Sequence, residues 1–160
     1  MSSRWGAIVK HPATWIVVCT TCVAGYEGLY THPYRDVVGV ETVCYGETAA
    51  DHVEFRTYTP AECKDLLAAS LPKYDAMVKK CLTKEAYDAL PPYRHAAIVS
   101  FTYNVGGGAF CHSSVARDLN AGKVNAACNA LLLYNRGGGR VIKGLDNRRH
   151  SERTMCLRND

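Results

Sequence analysis

The sequence has no long hydrophobic run. Its longest apolar stretch, residues 13–24 (ATWIVVCTTCVA), is about a dozen residues, against the roughly 20 that cross a bilayer. It has no internal repeat, low-complexity tract or interdomain linker, so one folded unit is expected. No run of Lys and Arg is interleaved with aromatics, which sets nucleic acid aside as a partner. The six histidines show no ligand spacing. Cys19 and Cys22 form a single C-x-x-C with no second pair to complete a zinc site and no βαβ context for a thioredoxin-like one. No metal or cofactor is therefore expected. Gly106-Gly107-Gly108 follows a helix-like segment and lacks the Lys-Ser/Thr ending of a phosphate loop.

What is present fits a globular domain. The chain has 160 residues, 48% hydrophobic and 21% charged, with a formal charge of +4. That charge favours an anionic partner but is too small to decide one. The eight cysteines allow up to about four disulfides in any of roughly 105 complete pairings. Disulfides would place the working protein in an oxidising compartment, whereas reduced thiols would be ordinary core residues. At least one disulfide is expected, with the pairing left open.

Residues 1–11 are short and basic, with Arg4, Lys10 and His11. The apolar stretch after them reads either as a signal segment or as a first helix with Pro12 in its opening turn. It abuts Glu27 directly, and cleavage there would remove that residue's support, so the helix is favoured. Residues 33–45 read as a β-hairpin around Val38-Gly39, with alternation over Val40, Thr42 and Cys44. Residues 49–58 read as a polar loop. Thr59-Pro60-Ala61-Glu62 is a capping box that opens a helix through Cys63, Leu67, Ser70, Tyr74, Met77 and Cys81, with a kink or break expected at Pro72. A short helix over 83–90 stops at Pro91-Pro92. A stronger one over 93–105 carries Ala97, Ile98, Phe101 and Val105 as a stripe. Further helices are expected over 113–121, around Val124–Leu131, and from an Asp146 N-cap to about Leu157. The fold class is α+β and mostly helical. A small β-hairpin lobe (26–58) and a larger helical lobe (59–160) would flank a cleft.

Residues 26–48 (YEGLYTHPYRDVVGVETVCYGET) hold the chemistry. Sugar-bond hydrolysis uses one protonated carboxyl to serve the leaving oxygen and one ionised carboxyl to activate water or attack. Glu27, at a helix end and backed by apolar residues, suits the acid, because burial favours its protonated form. Asp36, in a polar hairpin, suits the ionised partner, and the Thr42 hydroxyl can hold a water. On spacing alone, an ordinary solvated hairpin explains these residues better.

The wider pattern reverses that weighing. Glu27, eight residues, Asp36, five residues, Thr42 resembles the signature of phage-type lysozymes, the endolysins of glycoside hydrolase family 24. The flanks Glu27-Gly28-Leu29, Tyr34-Arg35-Asp36-Val37-Val38-Gly39 and Thr42-Val43-Cys44-Tyr45-Gly46 match too. So do two later blocks, Phe101-Thr102-Tyr103-Asn104-Val105-Gly106 and Gly144-Leu145-Asp146-Asn147-Arg148-Arg149, the second followed by Glu152-Arg153. The resemblance implies a single lysozyme-like domain over 1–160 and hydrolysis of the β-1,4 bond between N-acetylmuramic acid and N-acetylglucosamine in peptidoglycan. It implies inversion, which needs carboxyls roughly 6.5–9.5 Å apart. It further implies catalysis without cofactor, a monomer, synthesis in the host cytoplasm, and action in the periplasm after export through a holin pore or by a signal-anchor. Arg148 matches an arginine that pairs with the catalytic Glu, pulling its proton affinity down while burial pulls it up. Asn104 matches an amide that contacts the sugar. Cys44, Cys63, Cys128 and Cys156 lie where relatives also carry cysteines.

One position departs from the pattern. Glu47 stands where many members have His, and it either adds a third carboxylate to the site or points to solvent. The alternative to an enzyme is a non-catalytic cell-wall-binding protein on the same scaffold.

Overall fold

The computed structural model describes residues 13–160, so the basic start and the placing of Pro12 lie outside the described residues. The apolar stretch forms helix α1 (Thr14–Tyr26), which buries Cys19 and Val23 and ends on Glu27 as its C-cap. Among the described residues no helix is long and apolar enough to cross a membrane.

Three strands follow: β1 (Tyr30–Arg35), β2 (Glu41–Cys44) and β3 (Glu47–Thr48), antiparallel in the order β1-β2-β3. The register pairs Tyr34 with Thr42 and Tyr30 with Cys44, so a bulge lies between those two pairs on β1. The third strand adds to the two expected of a hairpin. Strict alternation on β2 is also corrected, since Thr42, Val43 and Cys44 are all buried. The strand is covered because Cys44 is disulfide-bonded to Cys63 on the long helix behind it. A 3-10 turn (Ala49–Asp51), closed by a Thr48/Asp51 capping box, occupies the start of the expected loop.

Helix α2 (Pro60–Cys81) opens on the Thr59/Glu62 capping box and runs through Pro72 without a break. Pro72 faces solvent, where water can satisfy the carbonyl it leaves free, while Leu67, Leu71 and Val78 are buried on either side of it. Then come α3 (Lys84–Asp88) and α4 (Pro92–Val105). Helix α4 is not striped: every residue from Arg94 to Thr102 is buried. It is the central helix, packed by α1, by α2 and by the last helix, α8 (Lys143–Cys156).

The glycine run stops α4, with Gly106 at φ +89° as its C-cap, and Gly107 then opens a short α5 (Gly107–Cys111). Helices α6 (Ser114–Asn120) and α7 (Val124–Ala130) fall where expected. The Gly137-Gly138-Gly139 run turns a small hairpin, β4 (Arg136–Gly137) with β5 (Arg140–Val141). Asp146 is not an N-cap. Helix α8 starts a turn earlier, and the Asp146 carboxylate instead accepts from Asn135 Nδ2 at 2.8 Å.

Six cysteines are paired, Cys44–Cys63, Cys81–Cys111 and Cys128–Cys156, while Cys19 and Cys22 on α1 are free thiols.

Candidate active site

Glu27 leaves the end of α1 beside α8. Arg148 Nη1 donates to Glu27 Oε1 at 2.6 Å, and the Glu27 side chain remains 29% exposed, open on its other side. The arginine is itself buried and fully engaged. Its Nε donates to Glu152 Oε1 at 3.0 Å and its Nη2 to the Ser100 carbonyl at 3.1 Å. Ser100 Oγ donates to the same Glu152 oxygen at 2.7 Å. Burial works against the Arg148 charge, but Glu152 and Glu27 more than offset it and hold its proton above the ordinary guanidinium value.

Glu152 also ties in the neighbouring arginine. Arg149 Nη1 donates to Glu152 Oε2 at 2.5 Å, and Arg149 Nε donates to the Tyr134 carbonyl at 2.9 Å. Arg149 Nη2 donates to Asn104 Oδ1 at the end of α4. One chain of hydrogen bonds therefore runs Glu27, Arg148, Glu152, Arg149, Asn104. Two carboxylates balance two guanidinium groups, so the buried charges are paired. The Asn104 oxygen is taken, and its NH₂ group makes no hydrogen bond among the described residues.

Asp36 and Thr42 meet through a third residue. Asp36 Oδ1 accepts from the N–H of Val38 and of Val40, both at 2.9 Å. Thr42 Oγ1 donates to the Val40 carbonyl, also at 2.9 Å. The first contact fixes the β1–β2 turn and aims the carboxylate. The second spends the Thr42 proton, leaving its oxygen lone pairs to accept a hydrogen bond. Gly39, at φ +84°, supplies the left-handed residue that this turn needs.

The hairpin carboxylate and Glu27 share a neighbour. Tyr34, paired with Thr42 across the sheet, has its phenol pushed up by burial and then by the negative charges of Tyr30, Asp36, Glu27 and Glu47. Glu47 is buried, which corrects the solvent-facing reading. Its Oε2 accepts from the Tyr45 N–H at 2.8 Å.

The sequence-derived residues thus fall into two groups. Glu27, Arg148 and Asn104 belong to the α8 network, and Asp36 and Thr42 share the hairpin turn. Asn104 bonds a side chain rather than the local backbone. Ser100 joins the site without having stood out in the sequence, and Arg149 and Glu152, which the sequence offers within a matching block but without a role, join it too. The signal for the last two lay in helical spacing, since a Glu four residues after one Arg and three after the next faces both on a helix.

Solved structures of similar fold are muramidases and lysozymes. The muramidase domain of SpmX from Asticaccaulis excentricus aligns with TM-score 0.77 at 26% identity, covering 88% of this chain and 95% of that one. A variant of P22 lysozyme aligns with TM-score 0.75 at 26% identity, covering 88% and 96%. The class defined by fold and site is therefore a lysozyme-like glycoside hydrolase. A curated relative, the SAR-endolysin of Bacteriophage PS119, is 41% identical over 133 residues, 83% of this chain and 77% of that protein. The phage lysozyme family profile matches residues 24–152, and the chain belongs to the phage lysozyme family.

Proposed function

We propose that this endolysin hydrolyses the β-1,4 bond between N-acetylmuramic acid and N-acetylglucosamine in bacterial peptidoglycan by inversion, working as a single domain whose two lobes flank the substrate. Glu27 is the general acid. Arg148 occupies Oε1, so Oε2 carries the proton delivered to the leaving glycosidic oxygen. Asp36 is the general base. With Oδ1 tied to the turn, the other oxygen accepts a proton from water. Thr42 accepts that water's second hydrogen, which aims a lone pair at the sugar carbon from the face opposite Glu27. The Asn104 amide donates to the sugar chain. No step calls for a cofactor or metal.

The observation that carries this reading is the Arg148–Glu27 ion pair, which holds a partly exposed carboxyl at the junction of hairpin and helices. Synthesis takes place in the host cytoplasm and action in the periplasm, by a monomer. The SAR-endolysin designation of the relatives favours the signal-anchor route of export over a holin pore.

The test is product analysis. Peptidoglycan is incubated with wild type and with Glu27→Gln, and the released ends are identified by mass spectrometry. Muramic-acid reducing ends from wild type alone support the reading. A 1,6-anhydro product indicates transglycosylation. Wall binding without any release by folded wild type leaves the non-catalytic alternative. Proton NMR of the first-formed anomer tests inversion: an α-anomer supports it, and a β-anomer overturns it.

A further inference from the structure

Glu47 differs from the other buried charges. Arg148, Arg149 and Glu152 satisfy one another, but Glu47 Oε1 is buried without any hydrogen-bond partner among the described residues. Its other oxygen accepts from the Tyr45 N–H. The carbonyl of that same Tyr45 accepts from Tyr103 O–H on α4 at 2.7 Å. The Tyr103 ring in turn lies tilted against Tyr74 of α2, with centroids 4.8 Å apart. The Glu47 side chain thus helps to hold the corner by which the hairpin rests on the two helices, beside the Cys44–Cys63 disulfide one residue before Tyr45. That corner directly follows β2, the strand that carries Thr42.

We propose that Glu47 is a positioning residue that acts as a neutral carboxylic acid, setting the orientation of the disulfide-tethered hairpin with its Asp36 and Thr42 relative to Glu27, and that its ionisation loosens this setting. The proposal rests on the muramidase reading of the cleft. A neutral acid can stay in an apolar corner with one oxygen unpartnered. A carboxylate there has a partner on Oε2 but none on Oε1 to replace its hydration.

The surrounding charges act in the same direction. Facing Glu47 are Glu27 at the end of α1, Asp51 on the 3-10 turn, Tyr34 on β1, Tyr74 on α2 and Tyr103 on α4. Arg148 is engaged by Glu27, and Lys73 by Asp51 at 2.6 Å. Burial raises the Glu47 pKa to about 7, the backbone N–H groups of Tyr45 and of Glu47 itself offset part of that, and Asp51 and Glu27 add to it. The protein therefore crosses this ionisation near neutral pH.

The experiment measures kcat/KM on peptidoglycan between about pH 6 and about pH 8.5 for wild type, Glu47→Gln and Glu47→Leu. Glutamine keeps an acceptor for the Tyr45 N–H but cannot ionise. The alkaline fall should be at least about fivefold smaller in the Gln variant than in wild type. Leucine, which accepts nothing, should be weak at both ends of the range. Identical alkaline limbs in wild type and Gln would overturn the proposal. A second measurement covers variants that fold poorly: difference infrared spectroscopy on Glu27→Gln protein. It should show a protonated carboxyl C=O band that disappears through about pH 7 and is missing when Glu47→Gln is added. Absence of that band in the single variant also overturns the proposal. If wild type cleaves nothing at any pH, the muramidase reading fails, and the infrared titration still decides the state of Glu47.

Discussion

Arg148 and Glu27 lie 121 residues apart in the chain and 2.6 Å apart in the fold. The acid that ends the first helix is held by a side chain from the last, so the site is complete only once both helices have docked on α4. Replacing Arg148 by Met should have two effects. Glu152 would be left buried and short of a partner, costing about 3–5 kcal/mol. Glu27 would lose its orientation, and kcat should fall by roughly a hundredfold or more. Urea unfolding and turnover on purified cell walls measure the two separately. Arg148→Lys should recover part of the stability but little activity, because an ammonium cannot reproduce a three-way planar fork.

Thr42→Val should separate chemistry from folding. Valine fills the same buried space but neither donates to the Val40 carbonyl nor accepts from water. We expect kcat to drop by roughly 10²-fold while stability changes by about 1 kcal/mol. Activity equal to wild type would remove Thr42 from the mechanism.

Asn104→Ala should act on binding. The Arg149 fork loses one acceptor but keeps Glu152 and the Tyr134 carbonyl, so the fold survives. Loss of the amide donor should raise KM by about tenfold, equivalent to about 1.4 kcal/mol, with kcat little altered. Steady-state kinetics on soluble glycan fragments would show this. A fall in kcat at constant KM would assign Asn104 a different role.

Glu47 makes a signed contribution to stability against pH. Its proton is held more tightly in the folded chain, at about 7, than at the ordinary value of 4.5. Its penalty is absent below about pH 4.5, grows as pH rises towards 7, and is constant above that. The contribution is on the order of 3 kcal/mol, so wild type should lose about that much stability relative to Glu47→Gln between acid and mildly alkaline solution. Denaturant titrations of both proteins at the two pH values check the sign as well as the size.

The disulfides should open in order of access. Cys44–Cys63 and Cys128–Cys156 are wholly buried, whereas Cys81 is half-buried and Cys111 exposed. A mild thiol reductant should therefore open Cys81–Cys111 first, as followed by alkylation and mass spectrometry. Removing Cys44–Cys63, which closes a loop of 19 residues, should cost about 3 kcal/mol. Reduction of a buried pair before the exposed one would contradict this order.

Part of the fold and most of the site are legible in the amino-acid sequence. The Thr59/Glu62 capping box announces α2, and the hairpin around Gly39 follows from its turn residues. The ordered blocks containing Glu27, Asp36, Thr42, Asn104 and Arg148 point to the site. Three kinds of feature stay hidden at that level. The burial of α4 on all sides is invisible in a stripe of four apolar residues, because Ser100 and Thr102 are polar yet buried by tertiary contacts. The role of Glu152, which the sequence places only beside a matching block, appears once its helix is seen to bury it against Arg148 and Arg149. The burial of Glu47 depends on a two-residue strand too short to leave a periodic signal.

Helix α2 is fastened at both ends. Cys63, in its first turn, is bonded to the hairpin, and Cys81, its last residue, is bonded to α5. A rod riveted at its two ends cannot peel away from either support, so what remains to it is flexure. Pro72 lies midway between the rivets, nine residues from each (81 − 72 = 72 − 63), where the backbone ladder already has a missing rung. Both covalent ties thus sit equally far from Pro72, the solvent-facing residue inside the helix that has no backbone N–H to give.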